Sequence, residues 1–128
     1  TLIEDAGSVC WGTAYLIGAD DRENVLGHLD TREKGGYALH EVNISFPGED
    51  GRDQVGLIYI AGPGNPNWLG DASAAEIAAQ VLASTGPSGA NTEYVLELAQ
   101  ALRRMNAEDD HVFELAAAVE GALRGRQA

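Results

Sequence analysis

Residues 62–71, GPGNPNWLGD, contain two prolines and three glycines, a composition that neither a strand nor a helix continues through. The segment divides the chain into two stretches of different character. Before it, the chain is rich in β-branched and aromatic residues, and after it apolar residues recur at helical spacing. Strands followed by a run of helices are typical of an α+β fold rather than an alternating βαβ fold.

The stretch before this loop predicts three strands and one helix. The strands are residues 8–17, 37–46 and 55–61. Asp20 and Asp21 are suited to cap the helix, which is expected to end near Asp30. The first and third strands are apolar on both faces, which favours cover on both sides. Because three strands make a thin sheet, we expect a further strand, from outside this sequence or from a partner chain, to complete it.

Three helices are predicted after the loop. Ser73 and Glu76 form a capping box at the start of the first, and Gly86-Pro87 ends it. Asn91 is a suitable cap for the second helix, and the third begins near Asp109-Asp110. The apolar stripes of the three helices are Ile77, Val81 and Leu82; Val95, Leu98, Ala99 and Leu102; and Val112, Leu115, Ala116, Val119 and Leu123. Residues 124–128 are expected to fray.

Composition limits the partners of the chain. Eight Lys and Arg against 20 Asp and Glu give 128 residues a net charge of −12, which disfavours nucleic acid and anionic membranes. The length fits one domain over residues 1–128, and no apolar run approaches the roughly 20 residues of a membrane helix. The single cysteine, Cys10, excludes an internal disulfide framework. The three histidines lack zinc-ligand spacing, so we expect no metal.

The densest polar cluster is residues 29–37, LDTREKGGY, in which four charges precede two glycines and a tyrosine. Two interpretations are open from the residues alone. One is a solvated turn between helix and strand, in which the glycines supply backbone freedom. The other is a carboxylate held at the mouth of a sheet, where the glycines let a ligand approach closely.

The same cluster, Asp30-x-Arg32-Glu33-Lys34-Gly35-Gly36-Tyr37, resembles the signature of the ChaC-like γ-glutamylcyclotransferases. Three further segments continue the resemblance in the family's order: Trp11-Gly12-x-Ala14-Tyr15, Tyr59-x-Ala61 with residues 65–70, and Gly86-Pro87-Ser88-Gly89-x-Asn91-x-Glu93-Tyr94. Asp110-x-Val112 lies near the family's matching C-terminal helix, and the resemblance covers roughly residues 9–119. The resemblance implies an α+β fold with a small mixed β-barrel or sheet of the γ-glutamylcyclotransferase type and flanking helices.

The resemblance also implies a reaction. Enzymes of this branch act on glutathione, whose glutamyl α-amine attacks its own γ-carbonyl to release 5-oxoproline and Cys-Gly. Glu33 matches the carboxyl group that takes and returns the proton as general base and acid. The substrate-binding residues implied by position are Arg32, Gly35, Gly36, Tyr37 and Tyr94. No metal or organic cofactor is needed.

The chemistry places a requirement on Glu33. A free glutamate, with a pKa of about 4.3, is a weak base toward an ammonium group. We therefore expect the pKa of Glu33 to be raised by burial in an apolar site. Its neighbours Arg32 and Lys34 would lower that pKa, but neighbours along an extended segment point to opposite sides.

One part of the family pattern is missing. The family opens with a strand that leads into a Tyr-Gly-Ser-Leu loop, which holds the glutamyl α-carboxylate, and no such motif occurs in this sequence. We therefore expect the domain to be N-terminally incomplete and complemented by an N-terminal segment or by self-association through exposed strand edges. The alternative function is that of a catalytically inactive relative that binds or regulates. The lone cysteine fits a cytoplasmic protein.

Overall fold

The computed structural model describes residues 2–32, 36–49 and 52–127. These residues form helices and small antiparallel sheets, so the α+β class predicted from the sequence is confirmed. The chain divides into two units: Thr1–Ser8 with Thr13–Trp68, and Val9–Gly12 with Leu69–Ala128. No helix within the described ranges combines the length and apolarity that a membrane crossing requires.

The first unit is built on a hairpin of strands β1, Tyr37–Ser45, and β2, Asp53–Ala61. The strands pair antiparallel, in a register that sets Tyr37 opposite Ala61 and Ser45 opposite Asp53. Both strands agree with the sequence prediction to within two residues. Since side chains alternate along a strand, Val42, Ile44, Ile58 and Ile60 share one half-buried face.

A short third segment lies beside the end of β2. The backbone N–H of Ala61 donates a hydrogen bond of 2.8 Å to the carbonyl of Leu2, and Ile3 forms a parallel bridge with Ala61. Ala61 is buried at this point. Parallel and antiparallel contacts therefore meet at the end of β2 that precedes the Gly-Pro-rich loop.

The predicted strand over residues 8–17 is wrong: no strand is assigned there, and every side chain in it is exposed. Tyr15 is 84% exposed and Leu16 97% exposed. The segment has the composition of a strand covered on both faces, but β propensity mainly reflects packing against neighbours. Within the described residues no neighbouring strand supplies that packing.

The helix of the first unit, α1, is Arg22–Arg32, preceded by a 3-10 turn at Ala19–Asp21. Its end agrees with the prediction to within two residues. Its beginning differs, because Asp20 and Asp21 lie inside the 3-10 turn and the residue before that turn, Gly18, makes no side-chain capping bond. The two carboxylates still lie at the N-terminal end of the helical segment, where negative charge is favourable.

The second unit contains helices α2, Ala74–Leu82, α3, Asn91–Arg104, and α4, Asp110–Gln127. Their apolar faces form one core, in which Ala116 and Val119 are fully buried. The other buried members of that core are Ala78, Val95, Ala99 and Leu115. All five residues of the predicted α4 stripe belong to or pack against this core, so that stripe is confirmed. Of the predicted α2 stripe, Ile77 and Val81 pack against the core, whereas the buried residue of α2 is Ala78. Leu98 of the α3 stripe is exposed.

Three details of the helix ends differ from the sequence prediction. Asn91 is the first residue of α3 rather than its cap, which is Ala90 without a side-chain bond. Helix α2 ends at Leu82, with Ala83 as its C-cap, rather than at Gly86-Pro87. The start of α4 agrees with the prediction, because the Asp109 side chain caps it by accepting from the N–H of Val112 at 3.0 Å. The helix continues to Gln127 instead of fraying from residue 124. The loop before α3 contains a two-residue strand pair, β3 at Thr85–Gly86 and β4 at Gly89–Ala90.

The predicted capping box at Ser73 and Glu76 is confirmed. The Glu76 carboxylate accepts from the Ser73 N–H at 2.8 Å, and the Ser73 hydroxyl accepts from the Glu76 N–H at 3.2 Å. The hydrogen bond from the Ser73 backbone N–H to the carboxylate, and next the Ser73 side chain, lower the pKa of Glu76. We expect Ser73→Ala to reduce the free energy of unfolding by about 1 kcal/mol. Urea denaturation of the two proteins measures the difference, and an unchanged midpoint would contradict it.

Candidate active site

The junction between α1 and β1 carries most of the residues that the motif singles out. Glu33, Lys34 and Gly35 lie outside the described residues, and of Arg32 the backbone is described as the last residue of α1. Gly36 forms a turn immediately before β1, and Tyr37 is the first residue of that strand. Two separate contacts fix the described residues on either side of 33–35.

The first contact joins α1 to the hairpin. Tyr59, in β2, donates a hydrogen bond from its hydroxyl to Oδ1 of Asp30, in the last turn of α1. Asp30 lies three residues before Glu33. The bond therefore connects the end of α1, which leads into residues 33–35, with β2.

The second contact lies on the other side of that segment. The Gly62 N–H donates to the carbonyl of Gly36 at 3.2 Å. Gly36 has φ +92°, and a β-carbon added to it would lie 2.9 Å from Nδ2 of Asn65. Glycine is therefore required here both by the backbone conformation and by the space beside it.

Asn65 is the buried polar residue of this region, at 7% exposure. Its side-chain Oδ1 accepts from the N–H of Asn67 at 2.8 Å, the geometry of an Asx turn. Its backbone N–H donates to the Gly62 carbonyl at 3.1 Å. The loop after β2 is thus ordered by Asn65, which places the amide side chain against Gly36.

Tyr37 and Tyr59 occupy the same face of the hairpin. Tyr37 pairs with Ala61, and Tyr59 lies two residues before Ala61 on β2, so the two tyrosines are diagonal neighbours. Both are half-buried. Diagonal neighbours on a sheet lie within reach of long aromatic side chains, and two phenol groups with the Asp30 carboxylate provide both donors and acceptors for a polar ligand.

The other sequence-predicted residue, Tyr94, belongs to the second unit. It lies in the first turn of α3, after the β3–β4 pair, and its side chain is 70% exposed. The described structure thus brings Gly36 and Tyr37 together in the first unit and assigns Tyr94 to the second.

The described residues contain neither an activated thiol nor a cluster of metal-ligating side chains. Partial burial and then the negative charge of Asp109 raise the pKa of the Cys10 thiol, which keeps it protonated and a poor nucleophile. Across residues 2–32, 36–49 and 52–127, no three His, Cys, Asp or Glu side chains are grouped as a metal ion would require.

An open groove of about 560 Å³ is also present in the first unit. It lies between the extended segment and α1, and its lining includes Tyr15, Leu16, Asn24 and His28. Gly36, Tyr37 and Tyr59 do not line it. The candidate site is therefore defined by the residues around the α1–β1 junction rather than by this groove.

The sequence analysis placed Asp30, Tyr59 and Asn65 in the family motifs, but it predicted neither the hydrogen bond between Asp30 and Tyr59 nor the burial of Asn65 beside Gly36. A signal was available for Tyr59, because pairing the two predicted strands antiparallel would have set it on the face of Tyr37. The Asn65-Pro66 sequence indicated a turn, but it gave no sign that the amide would be buried beside Gly36.

The chain is similar to known proteins over most of its length. The family model described as ChaC-like protein matches residues 1–122. Glutathione-specific gamma-glutamylcyclotransferase 1 of Danio rerio is 38% identical over 128 residues, which cover 97% of this chain and 65% of the relative. The Homo sapiens protein of the same name is 39% identical over 125 residues, or 93% of this chain and 55% of the relative.

A solved structure gives the same result for the fold. The crystal structure of a selenomethionine-labelled γ-glutamyl cyclotransferase specific to glutathione from yeast superposes with a TM-score of 0.71 and 27% identity. The match covers 82% of this chain and 56% of that one. The chain thus spans between about half and two thirds of the length of the proteins it resembles. Because the family model matches nearly the whole sequence, the chain belongs to the ChaC-like protein family.

Proposed function

We propose that the protein is a glutathione-specific γ-glutamylcyclotransferase, a lyase that cleaves glutathione to 5-oxoproline and Cys-Gly. The observation that carries this proposal is the ChaC-like family match over residues 1–122. Relatives named for that activity are 38–39% identical to the chain. The Asp30-x-Arg32-Glu33 motif, which begins in the last turn of α1, supports the same reaction class.

The proposed chemistry is an intramolecular acyl transfer. The glutamyl α-amine forms a bond to the γ-carbonyl carbon, and the bond from that carbon to the cysteinyl nitrogen breaks. Glu33 removes a proton from the substrate ammonium and then donates it to the departing nitrogen, so the carboxylate is regenerated. Holding the substrate curled supplies much of the rate, because nucleophile and carbonyl belong to one molecule. The cycle uses no metal or organic cofactor.

The remaining roles concern binding. We assign substrate contacts to Arg32, Gly35, Gly36, Tyr37 and Tyr94. The turn at Gly36, with φ +92° and no side chain, favours close approach of a ligand to the backbone. The half-buried Tyr37 presents a phenol hydroxyl that suits a substrate carboxylate or amine.

The assay that tests this proposal uses the protein expressed from its complete reading frame. Incubated with glutathione, it is expected to release 5-oxoproline and Cys-Gly in equal amounts, measured by mass spectrometry. A γ-glutamyl amino acid and a γ-glutamylamine serve as comparison substrates, which we expect to be cleaved more slowly. Glutathione binding without either product would contradict the enzyme and favour the binding or regulatory relative instead.

The partner proposal rests on the exposed apolar segment. Residues 9–17 are exposed and unassigned to any strand, although they include Val9, Trp11, Tyr15 and Leu16. We infer that a complementing strand, from an N-terminal segment or a second copy, covers them in a cytoplasmic protein. The mass from size-exclusion chromatography with light scattering separates a monomer from a self-associated form.

A further inference from the structure

The Tyr59 hydroxyl and the Asp30 carboxylate are not assigned to substrate or to proton transfer by the proposed mechanism. They nevertheless form the hydrogen bond that connects α1 with the hairpin. They are 29 positions apart in sequence, so the bond is a tertiary contact rather than a local turn. Asp30 lies three residues before the proposed general base, Glu33. A tertiary bond at Asp30 is therefore suited to positioning the chain that leads to this base.

We propose that Tyr59 and Asp30 are a positioning pair that holds the C-terminal end of α1, and with it the chain entering Glu33, against β2. The inference rests on the proposed function only in one respect, the expected effect of the pair on glutathione turnover. The pair itself is defined by the hydrogen bond between two described residues. In this proposal the pair has a positioning role, and proton transfer remains assigned to Glu33.

The other side of the 33–35 segment is fixed independently. Gly36 is held by the hydrogen bond from Gly62, and its α-carbon faces the Asn65 amide. Tyr59 and Gly62 are separated by three positions at the end of β2 and the start of the following loop. The described residues on either side of 33–35 therefore both contact the same short stretch of chain, which restricts the positions of these flanking residues.

Such restriction matters because the reaction depends on geometry. A general base must lie within hydrogen-bond reach of the proton that it removes, and small misplacements of a reacting group lower rates steeply. The Asp30 carboxylate, engaged by the phenol, is suited to fixing the helix end rather than to competing with Glu33 for the substrate proton. Removing the Tyr59 hydroxyl is therefore expected to lower kcat, although no catalytic group is lost.

The test compares hydroxyl and acceptor deletions in the protein expressed from its complete reading frame. Tyr59→Phe and Asp30→Ala each remove one side of the pair, whereas Asp30→Asn keeps an oxygen that accepts from the phenol. Thr31→Val is the matched control, because it deletes a hydroxyl in the same helical turn whose bond goes to the Gly27 carbonyl at 3.0 Å within α1. Two readouts are taken: glutathione turnover and hydrogen exchange of the peptide spanning residues 30–37.

Tyr59→Phe and Asp30→Ala are each expected to lower kcat about tenfold while KM changes less than about twofold. The loss in the double variant should be smaller than the product of the two single losses, because both changes remove the same hydrogen bond. Asp30→Asn should recover most of the loss, and Thr31→Val should resemble the wild type. Amide exchange in residues 30–37 should be at least about threefold faster in Tyr59→Phe than in the wild type. In Thr31→Val, the other hydroxyl deletion, it should be unchanged.

Unchanged exchange and unchanged kcat in Tyr59→Phe would overturn the pair. Additive losses in the double variant, or no recovery with Asp30→Asn, would also overturn it. If the wild type fails to cleave glutathione, the proposed function fails, but the exchange comparison still decides whether the pair holds this segment. If Tyr59→Phe does not fold, Asp30→Ala and Asp30→Asn decide on the same two readouts.

Discussion

Glu33→Gln is expected to lower the turnover of glutathione by a factor of about 100 to 10,000, the range typical of removing a general acid–base group. Glutamine has nearly the same shape and hydrogen-bonding reach as glutamate, but it neither accepts a proton from the substrate ammonium nor returns one to the departing nitrogen. The loss should appear in kcat, because the substitution leaves the proposed substrate contacts of the backbone and the tyrosines in place. Steady-state release of 5-oxoproline measures it directly.

A matched control for this change is Glu41→Gln. Glu41 is an exposed carboxylate in β1, a position that the resemblance does not assign to the site, and its substitution should leave turnover within about twofold of the wild type. Turnover above about one tenth of the wild-type rate in Glu33→Gln would contradict the assignment of this residue as the general acid and base. Glutathione binding measured by calorimetry separates lost chemistry from lost affinity.

The elements that local sequence determines were predictable. The capping box at Ser73, the apolar stripe of α4, and the hairpin strands follow from residue spacing within about ten positions. Each of these elements satisfies most of its backbone hydrogen bonds internally or with its sequence neighbour. The bounds of the hairpin strands could therefore be predicted to within two residues. Helix α2 is an exception at its end, since it stops at Leu82, before Gly86-Pro87.

Features that depend on partners distant in sequence were not predictable. Residues 8–17 have the composition of a buried strand, yet their conformation depends on a neighbour to pair with, and none exists among the described residues. The Asp30–Tyr59 bond requires knowing that the end of α1 faces β2. The burial of Asn65 requires knowing that the loop after β2 folds back on Gly36.

The candidate site, too, could be predicted only in part from the sequence. The residues alone left the 29–37 cluster open between a charged turn and a ligand site, and the resemblance to the ChaC-like family made Glu33 the candidate acid and base. The described geometry adds what no motif contained, namely which groups fix the chain on both sides of that residue. Glu33 itself stays a prediction, which the glutamine substitution tests.

Gly36→Ala is expected to damage both stability and turnover, because the alanine would meet two separate obstacles. The first is the backbone, since φ +92° is a conformation that residues with a β-carbon rarely adopt. Adopting a left-handed conformation costs an L-residue about 1–2 kcal/mol. The second is space, since the new β-carbon would lie 2.9 Å from Asn65 Nδ2, and overpacking of this kind typically costs about 1–3 kcal/mol more.

Gly64→Ala separates the two effects. Gly64 also has a positive φ, at +83°, but nothing lies within 4 Å of the β-carbon that alanine would add. Its loss in the free energy of unfolding should therefore equal the backbone cost alone, and the excess in Gly36→Ala measures the contact with Asn65. Turnover should fall at least about tenfold in Gly36→Ala, since the strained turn is followed directly by Tyr37 and preceded by the proposed catalytic segment. Equal losses of stability in the two variants, with turnover retained in both, would mean that the Gly36–Asn65 contact neither orders the turn nor serves the reaction.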